Sequence, residues 1–182
     1  MKTITGSTML DRLGEIFSIP VLETPIGFKY VAPMMMSENA LMGGEESGGY
    51  GFRNHVLERD GILAALYLLD LMVGLAKKPS ELVEYLFSKV GPHYYDRLDV
   101  KIPLEQHREI TARIGRDIPD RLAGTPVARL DTKDGFRFIL KDGSWLLIRF
   151  SGTEPLVRVY AESHGPEQVK ELLEAGRKLA GL

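Results

Sequence analysis

The 182-residue sequence contains no cysteine, which rules out a disulfide framework, a thiolate nucleophile and a zinc site built on sulfur. A reducing, cytoplasmic setting suits such a chain. Net charge is nearly absent too. With 23 Lys+Arg against 25 Asp+Glu the formal charge is -2, so there is no basic surplus for a general polyanion-binding face, and no aromatic-basic motif of an RNA reader is present. Nucleic acid is therefore not an expected partner. Long hydrophobic runs are missing as well: the longest, Ile62 to Ala76, is interrupted by Asp70 and is shorter than the roughly 20 residues that span a bilayer. It reads as a core helix, and no membrane partner is expected. Met1 to Ser7 lacks the charged start and apolar stretch of a signal peptide.

Apolar residues make up 44%, enough for a packed core, and the length suits one large domain or two small ones of about 50–200 residues each. Met9, Leu10, Leu13, Ile16 and Phe17 share one face of a helix over Thr8 to Phe17, with Ser7 or Thr8 available as N-cap. Val21 to Glu23 reads as a short strand running into the turn Thr24-Pro25-Ile26-Gly27. A helix follows from Phe28, with Pro33 either inside it or ending it. Ala40 to Met42 is a small strand before a glycine-rich loop, and Asp60 and Ser80 can cap two further helices. This is an α/β alternation.

Tyr94 to Ile102 reads as a crossing segment, with the domain boundary near Asp99 to Pro103, where a proline suits the first turn of the next helix. Val127 to Leu130, Phe136 to Leu140, Trp145 to Phe150 and Leu156 to Glu162 then read as strands. Asp142-Gly143 supplies a hairpin turn, and Gly165-Pro166 starts a final amphipathic helix. Helices on one face of a mainly antiparallel sheet are the expectation for this half.

Two loops have the composition for binding chemistry. Gly43-Gly44-Glu45-Glu46-Ser47-Gly48-Gly49 follows a strand; if it is extended, Glu45 and Ser47 point to one side and could grip neighbouring sugar hydroxyls. A mobile polar turn has the same composition. It is not a Walker loop, since no Lys-Ser/Thr pair closes it. Arg149-Phe150-Ser151-Gly152-Thr153-Glu154-Pro155, with Arg158 three residues on, offers two guanidinium forks and two hydroxyls. These fit a phosphate group, which carries about −1.5 to −2 charges at neutral pH. Glu154 cannot bind phosphate and is expected to order the loop or pair with an arginine.

Lys2-Thr3, Thr24 through Tyr30, Gly44-Glu45-Glu46-Ser47-Gly48-Gly49, His55 through Arg59-Asp60-Gly61, Asp142-Gly143-Ser144-Trp145 and Arg149 through Arg158 form an ordered set across nearly the whole chain. That set resembles the α-D-phosphohexomutase family of phosphoglucomutases and phosphomannomutases. The resemblance implies two domains. Residues 1–100 would be a domain 3, a mixed-sheet α/β sandwich domain truncated at its N-terminus; residues 101–182 would be a domain 4, a small α+β domain whose mainly antiparallel four-stranded sheet is like that of the TATA-box-binding protein. It implies that Glu45 and Ser47 hold sugar hydroxyls and that Thr24, Gly27 and Lys29 line the pocket. Arg149, Ser151, Gly152, Thr153 and Arg158 would hold the phosphate that is not transferred, with Lys2, His55 and Arg59 as secondary candidates.

For the parent enzyme the resemblance implies interconversion of hexose 1-phosphate and 6-phosphate by intramolecular phosphotransfer, an isomerase activity. A phosphoserine, Mg2+ and hexose 1,6-bisphosphate as activator would take part. Neither the phosphoserine segment nor an Asp-x-Asp-x-Asp metal loop occurs in this sequence. The chain is therefore expected to be an inactive C-terminal fragment with no catalytic residue and no metal ligand. Its partners would be hexose phosphates and the missing N-terminal domains, and its truncated surface would favour self-association. A stand-alone phosphosugar-binding module without catalysis is the alternative. Gly49 stands where phosphoglucosamine mutases carry a histidine, and Arg59 where lysine is frequent; the pattern is more similar to the glucose/mannose branch. Arginine's high pKa makes Arg59 a poor general acid or base.

Overall fold

The computed structural model describes residues 1–116, 118–151 and 154–182. They form two compact units, Met1–Pro92 and His93–Leu182.

In the first unit β1 (Lys2–Thr3) leads into α1 (Met9–Phe17), where Ser7 Oγ accepts from the Met9 amide at 3.0 Å. The helix stops where Ser18 turns left-handed ahead of Pro20. Then come β2 (Glu23–Thr24), α2 (Phe28–Ser37), β3 (Met42–Gly44), β4 (Tyr50–Phe52), α3 (Gly61–Leu75) and α4 (Pro79–Val90). The strand order is β2-β1-β3-β4; β1 is parallel to β2 and β3, while β4 is antiparallel to β3. This is the mixed sheet the family resemblance implied.

Pro33 lies inside α2, whose Phe28, Val31 and Met35 are buried. Asp60 caps α3 by accepting from the Leu63 amide at 2.9 Å. α4 starts at Pro79, ahead of the expected Ser80 cap, because proline's fixed φ suits a first helical position; the Glu81 carboxylate accepts from the Lys78 amide at 2.7 Å. The expected core helix behaves differently from its sequence. α3 is apolar all round, a pattern that belongs in an interior, yet none of its residues is buried and Ile62 is 80% exposed. Among the described residues no helix is long and apolar enough to cross a membrane.

The second unit runs β5 (Tyr94–Lys101), α5 (Gln106–Arg116), β6 (Arg121–Leu122), β7 (Thr125–Asp131), β8 (Phe136–Leu140), β9 (Trp145–Phe150), β10 (Leu156–Ser163) and α6 (Pro166–Ala180). All four expected strands are present as β7 to β10, and β5 and β6 extend them to the antiparallel order β5-β10-β9-β8-β7-β6. The stretch read as a crossing segment is thus an edge strand, paired with β10 from Tyr94 to Lys101. Its place in this sheet puts the division between units at Pro92 and His93 rather than at residues 100 and 101. Leu98 and Val100 of β5 pack against the core, alternating with outward Arg97 and Asp99 as the pleat requires.

One face of this sheet carries Phe138, Leu140, Leu146, Ile148, Val157 and Val159, which pack with Ile110 and Ile114 of α5 and Leu172 and Leu173 of α6.

Candidate functional site

Two loops of the first unit leave the same edge of its sheet. Thr24 to Lys29 follows β2 and Glu45 to Ser47 follows β3, and both strands run parallel to β1 between them. The loops start about 9–10 Å apart, two strand spacings. The carboxyl ends of parallel strands are where open α/β sheets bind ligands.

The glycine-rich loop is a turn, not an extended segment. The Gly48 amide donates to Glu45 O at 3.0 Å and the Glu45 amide to Gly49 O at 2.9 Å, continuing the β3–β4 pairing. Gly48 has φ +92°, which reverses the chain at little steric cost for glycine. The alternation argument for Glu45 and Ser47 therefore does not apply. Ser47 is exposed at the tip, whereas the Glu45 side chain is only 9% exposed and its Oε2 lies 3.7 Å from Arg59 Nη1. Arg59 also donates from Nε to Glu58 Oε1 at 3.0 Å and lies over the Phe28 ring. A Cβ at Gly49 would overlap Arg59 Cδ, so this arginine fills the space a side chain at position 49 would need.

The other first-unit candidates are placed unequally. Thr24 is buried and its hydroxyl donates to Pro25 O at 2.9 Å. Gly27 caps α2 with φ +127°, and Lys29 is exposed in the first turn with Nζ 4.9 Å from the centre of the Tyr30 ring. Lys2 is 2% exposed; its ammonium donates to Gly6 O at 3.3 Å, Ser7 O at 3.2 Å and Asp11 Oδ2 at 2.5 Å. All three of its protons are thus directed inside the unit. His55 Nε2 lies 2.7 Å from Asp60 Oδ2, making His55 a brace for the α3 cap. The Leu63 amide, then His55, hold the Asp60 carboxyl below the usual aspartate range.

In the second unit the structure brings Arg149 and Arg158 together. They are direct cross-strand partners in the β9–β10 ladder, and Asp99 of β5 stands opposite Arg158 on its other side. Like charges facing each other across a ladder are destabilising unless compensated. Compensation comes from both flanks: Arg149 Nε donates to Asp134 Oδ1 at 2.8 Å, and Arg158 Nη2 donates to Glu154 Oε2 at 3.1 Å with Asp99 Oδ2 3.6 Å from its Nε. Gly135 makes the first of these possible. At φ +102° it lets the turn lie so close to β9 that a Cβ there would stand 2.6 Å from Ile148 O.

The turn between the strands is closed by the Ser151 amide, which donates to Leu156 O at 2.9 Å. Ser151 is buried, and its Oγ accepts from the Glu154 amide at 3.2 Å. Gly152 and Thr153 of the expected phosphate set lie outside the described residues. Glu154 pairs with an arginine, one of the two roles its sequence position suggested. Sequence reasoning missed Asp134 and Asp99; the Asp134-Gly135 dipeptide, a turn signal before β8, was the available clue to the first. Among the described residues no three His, Asp or Glu side chains converge as a metal group.

Two family models match this chain: the phosphoglucomutase/phosphomannomutase alpha/beta/alpha domain III over residues 1–90, and the C-terminal domain of the same family over residues 99–179. The chain is 35% identical to a phosphoglucomutase/phosphomannomutase of Thermococcus kodakarensis over 180 residues, 98% of this chain and 37% of that protein. It is 33% identical to a phosphoglucosamine mutase of Methanocaldococcus jannaschii, again over 98% of this chain and 38% of the relative. Among solved structures, that of a putative phosphomannomutase from Thermus thermophilus superposes with a TM-score of 0.79 at 36% identity, covering 98% of this chain and 35% of that one. The chain thus spans little more than a third of the length of the relatives it matches.

Proposed function

The chain belongs to the phosphoglucomutase/phosphomannomutase family, and from that premise we propose that it is the substrate-holding part of an enzyme that interconverts hexose 1-phosphate and hexose 6-phosphate through a bisphosphate. The observation that carries this reading is the cross-strand pairing of Arg149 with Arg158 beside the Ser151 turn. Two guanidinium groups set side by side suit a dianion with many acceptor oxygens. In this reading Arg149, Ser151 and Arg158 take the phosphate that is not being transferred. Gly152 and Thr153, which have the amides and hydroxyl for the task, join them.

Recognition of the sugar is assigned to the first unit. Glu45 accepts from hydroxyls, with Arg59 beside its carboxylate to orient it, and Ser47 adds a hydroxyl at the tip of the turn. Gly27 and Lys29 line the neighbouring loop. Charge-assisted hydrogen bonds contribute about 1.5–3 kcal/mol each, against an estimated 4–15 kcal/mol lost on association. The phosphate loop therefore positions a substrate that needs further contacts for tight binding. Because both ends of the bisphosphate must present themselves in turn, contacts that do not test carbon 2 would admit glucose and mannose series alike.

Mg2+ would supply electrostatic assistance to phosphoryl transfer in the parent enzyme. In this reading the chain's own residues contribute binding and orientation. A phosphoglucomutase assay of the purified chain, with glucose 1-phosphate, Mg2+ and catalytic glucose 1,6-bisphosphate, tests the division of labour. No turnover is expected; turnover would place a phosphoryl carrier within these 182 residues.

A further inference from the structure

Three carboxylates touch the two arginines assigned to phosphate, and they differ in how firmly they are held. Asp134 is 20% exposed and 2.8 Å from Arg149 Nε. Asp99 is shared, with Oδ1 2.9 Å from Arg97 Nε and Oδ2 3.6 Å from Arg158 Nε. Glu154 is 55% exposed and reaches Arg158 Nη2 at 3.1 Å. Its backbone is anchored independently, since the Glu154 amide donates to Ser151 Oγ. The side chain can therefore leave Arg158 by rotation while the turn stays closed.

From this geometry we propose that Glu154 is a tethered placeholder on Arg158, an internal carboxylate that an incoming phosphate displaces. The proposal rests on the assignment of Arg149 and Arg158 to phosphate. It makes Glu154 an internal competitor held at high effective concentration beside Arg158. Displacing it lowers the apparent affinity of every anion by the same factor, and a phosphate dianion, with more charge and a third acceptor oxygen, is the ligand suited to displace it.

An exposed ion pair is weak, so closing the site in this way lowers apparent phosphate affinity only by the fraction of molecules in which Arg158 is occupied, about two- to fivefold. Inorganic phosphate is titrated into the full chain and into Glu154→Gln and Glu154→Asp variants, with arginine side-chain NMR signals as the readout. Glu154→Asp keeps the charge but is one methylene too short to reach Arg158. The placeholder predicts that both variants bind phosphate about two- to fivefold tighter than the parent chain. If Glu154→Gln tightens binding and Glu154→Asp does not, the effect is repulsion at a distance and the proposal is overturned. Unchanged or weaker binding by both overturns it too, leaving Glu154 a loop-ordering residue. Phosphate binding that is absent, or indifferent to Arg149→Ala and Arg158→Ala, instead defeats the site assignment on which the proposal stands, and the proposal with it.

Discussion

Asp134 Oδ1 accepts a 2.8 Å hydrogen bond from Nε of Arg149, which fixes the orientation of the guanidinium. Both side chains are largely covered. Asp134→Ala is expected to destabilise the chain by about 1–3 kcal/mol, the range for losing a partly buried hydrogen bond to a charged group. It should also weaken phosphate binding, because Arg149 loses its orientation. Denaturant unfolding and phosphate titration of the same variant check both parts.

Gly135→Ala should be harmful through the backbone. The residue sits at φ +102°, and the new methyl would meet Ile148 O at 2.6 Å. A loss of about 2 kcal/mol or more is expected, exceeding the ~1 kcal/mol that alanine gains over glycine at unstrained sites. A thermal unfolding curve that matches the parent chain would contradict the strained turn.

Lys2 and Asp11 form an asymmetric pair, since the lysine is 2% exposed and the aspartate side chain 43% exposed. Asp11→Ala leaves a buried ammonium with two carbonyl acceptors and the Glu23 carboxylate at 4.0 Å, whereas Lys2→Met returns Asp11 to water. Removing one member of a buried pair costs about 3–5 kcal/mol when both charges are enclosed; here the aspartate's exposure reduces that to roughly 1–3 kcal/mol for Asp11→Ala. Lys2→Met should cost less. Unfolding free energies in the reverse order would contradict the assigned environments.

Asp142 gives the acid limb a testable sign. Burial raises its carboxyl pKa, but hydrogen bonds from Gln168 and Ser144 outweigh that, and the net shift is downward. A depressed folded-state pKa means stability that is present above the unfolded value, about 3.9 for aspartate, and lost as pH falls through the folded value. Asp142→Asn should therefore lower Tm at neutral pH, with the difference shrinking in acid. Parallel curves from pH 7 to pH 2 would count against it.

Helix α3 leads to a prediction about solution behaviour. Ile62, Leu66, Tyr67, Leu69 and Val73 are all exposed on it, and contiguous apolar surface of this kind drives association. Sedimentation velocity of the chain should show concentration-dependent self-association, reduced by Leu66→Lys and Val73→Lys together. A strictly monomeric species at high concentration would contradict it.

The second unit was the more legible of the two. The short apolar runs in Trp145 to Phe150 and Leu156 to Glu162, and the Asp142-Gly143 turn between β8 and β9, depend on local pattern alone. α3 was legible as a helix but not as a surface, because its burial depends on what covers it. β5 was hidden by Tyr94, Asp96, Arg97 and Asp99, whose polarity masks the inward Leu98 and Val100. The Arg149 and Arg158 pair could be suspected from composition, but its counterions could not. Asp134 is 15 residues from Arg149 in the chain, and Asp99 reaches Arg158 only through the β5–β10 register. At the glycine-rich loop the same glycines allow either an extended or a reversed path, and the hydrogen bond from Gly48 to Glu45 selects the turn.

The central claim is that Arg149, Ser151 and Arg158 hold the phosphate of a hexose phosphate. Calorimetric titration of the full chain with glucose 1,6-bisphosphate, beside Arg149→Ala and Ser151→Ala, tests it most directly. Weak binding by the parent chain that is lost in both variants is the predicted result; binding of equal strength in all three would contradict the assignment.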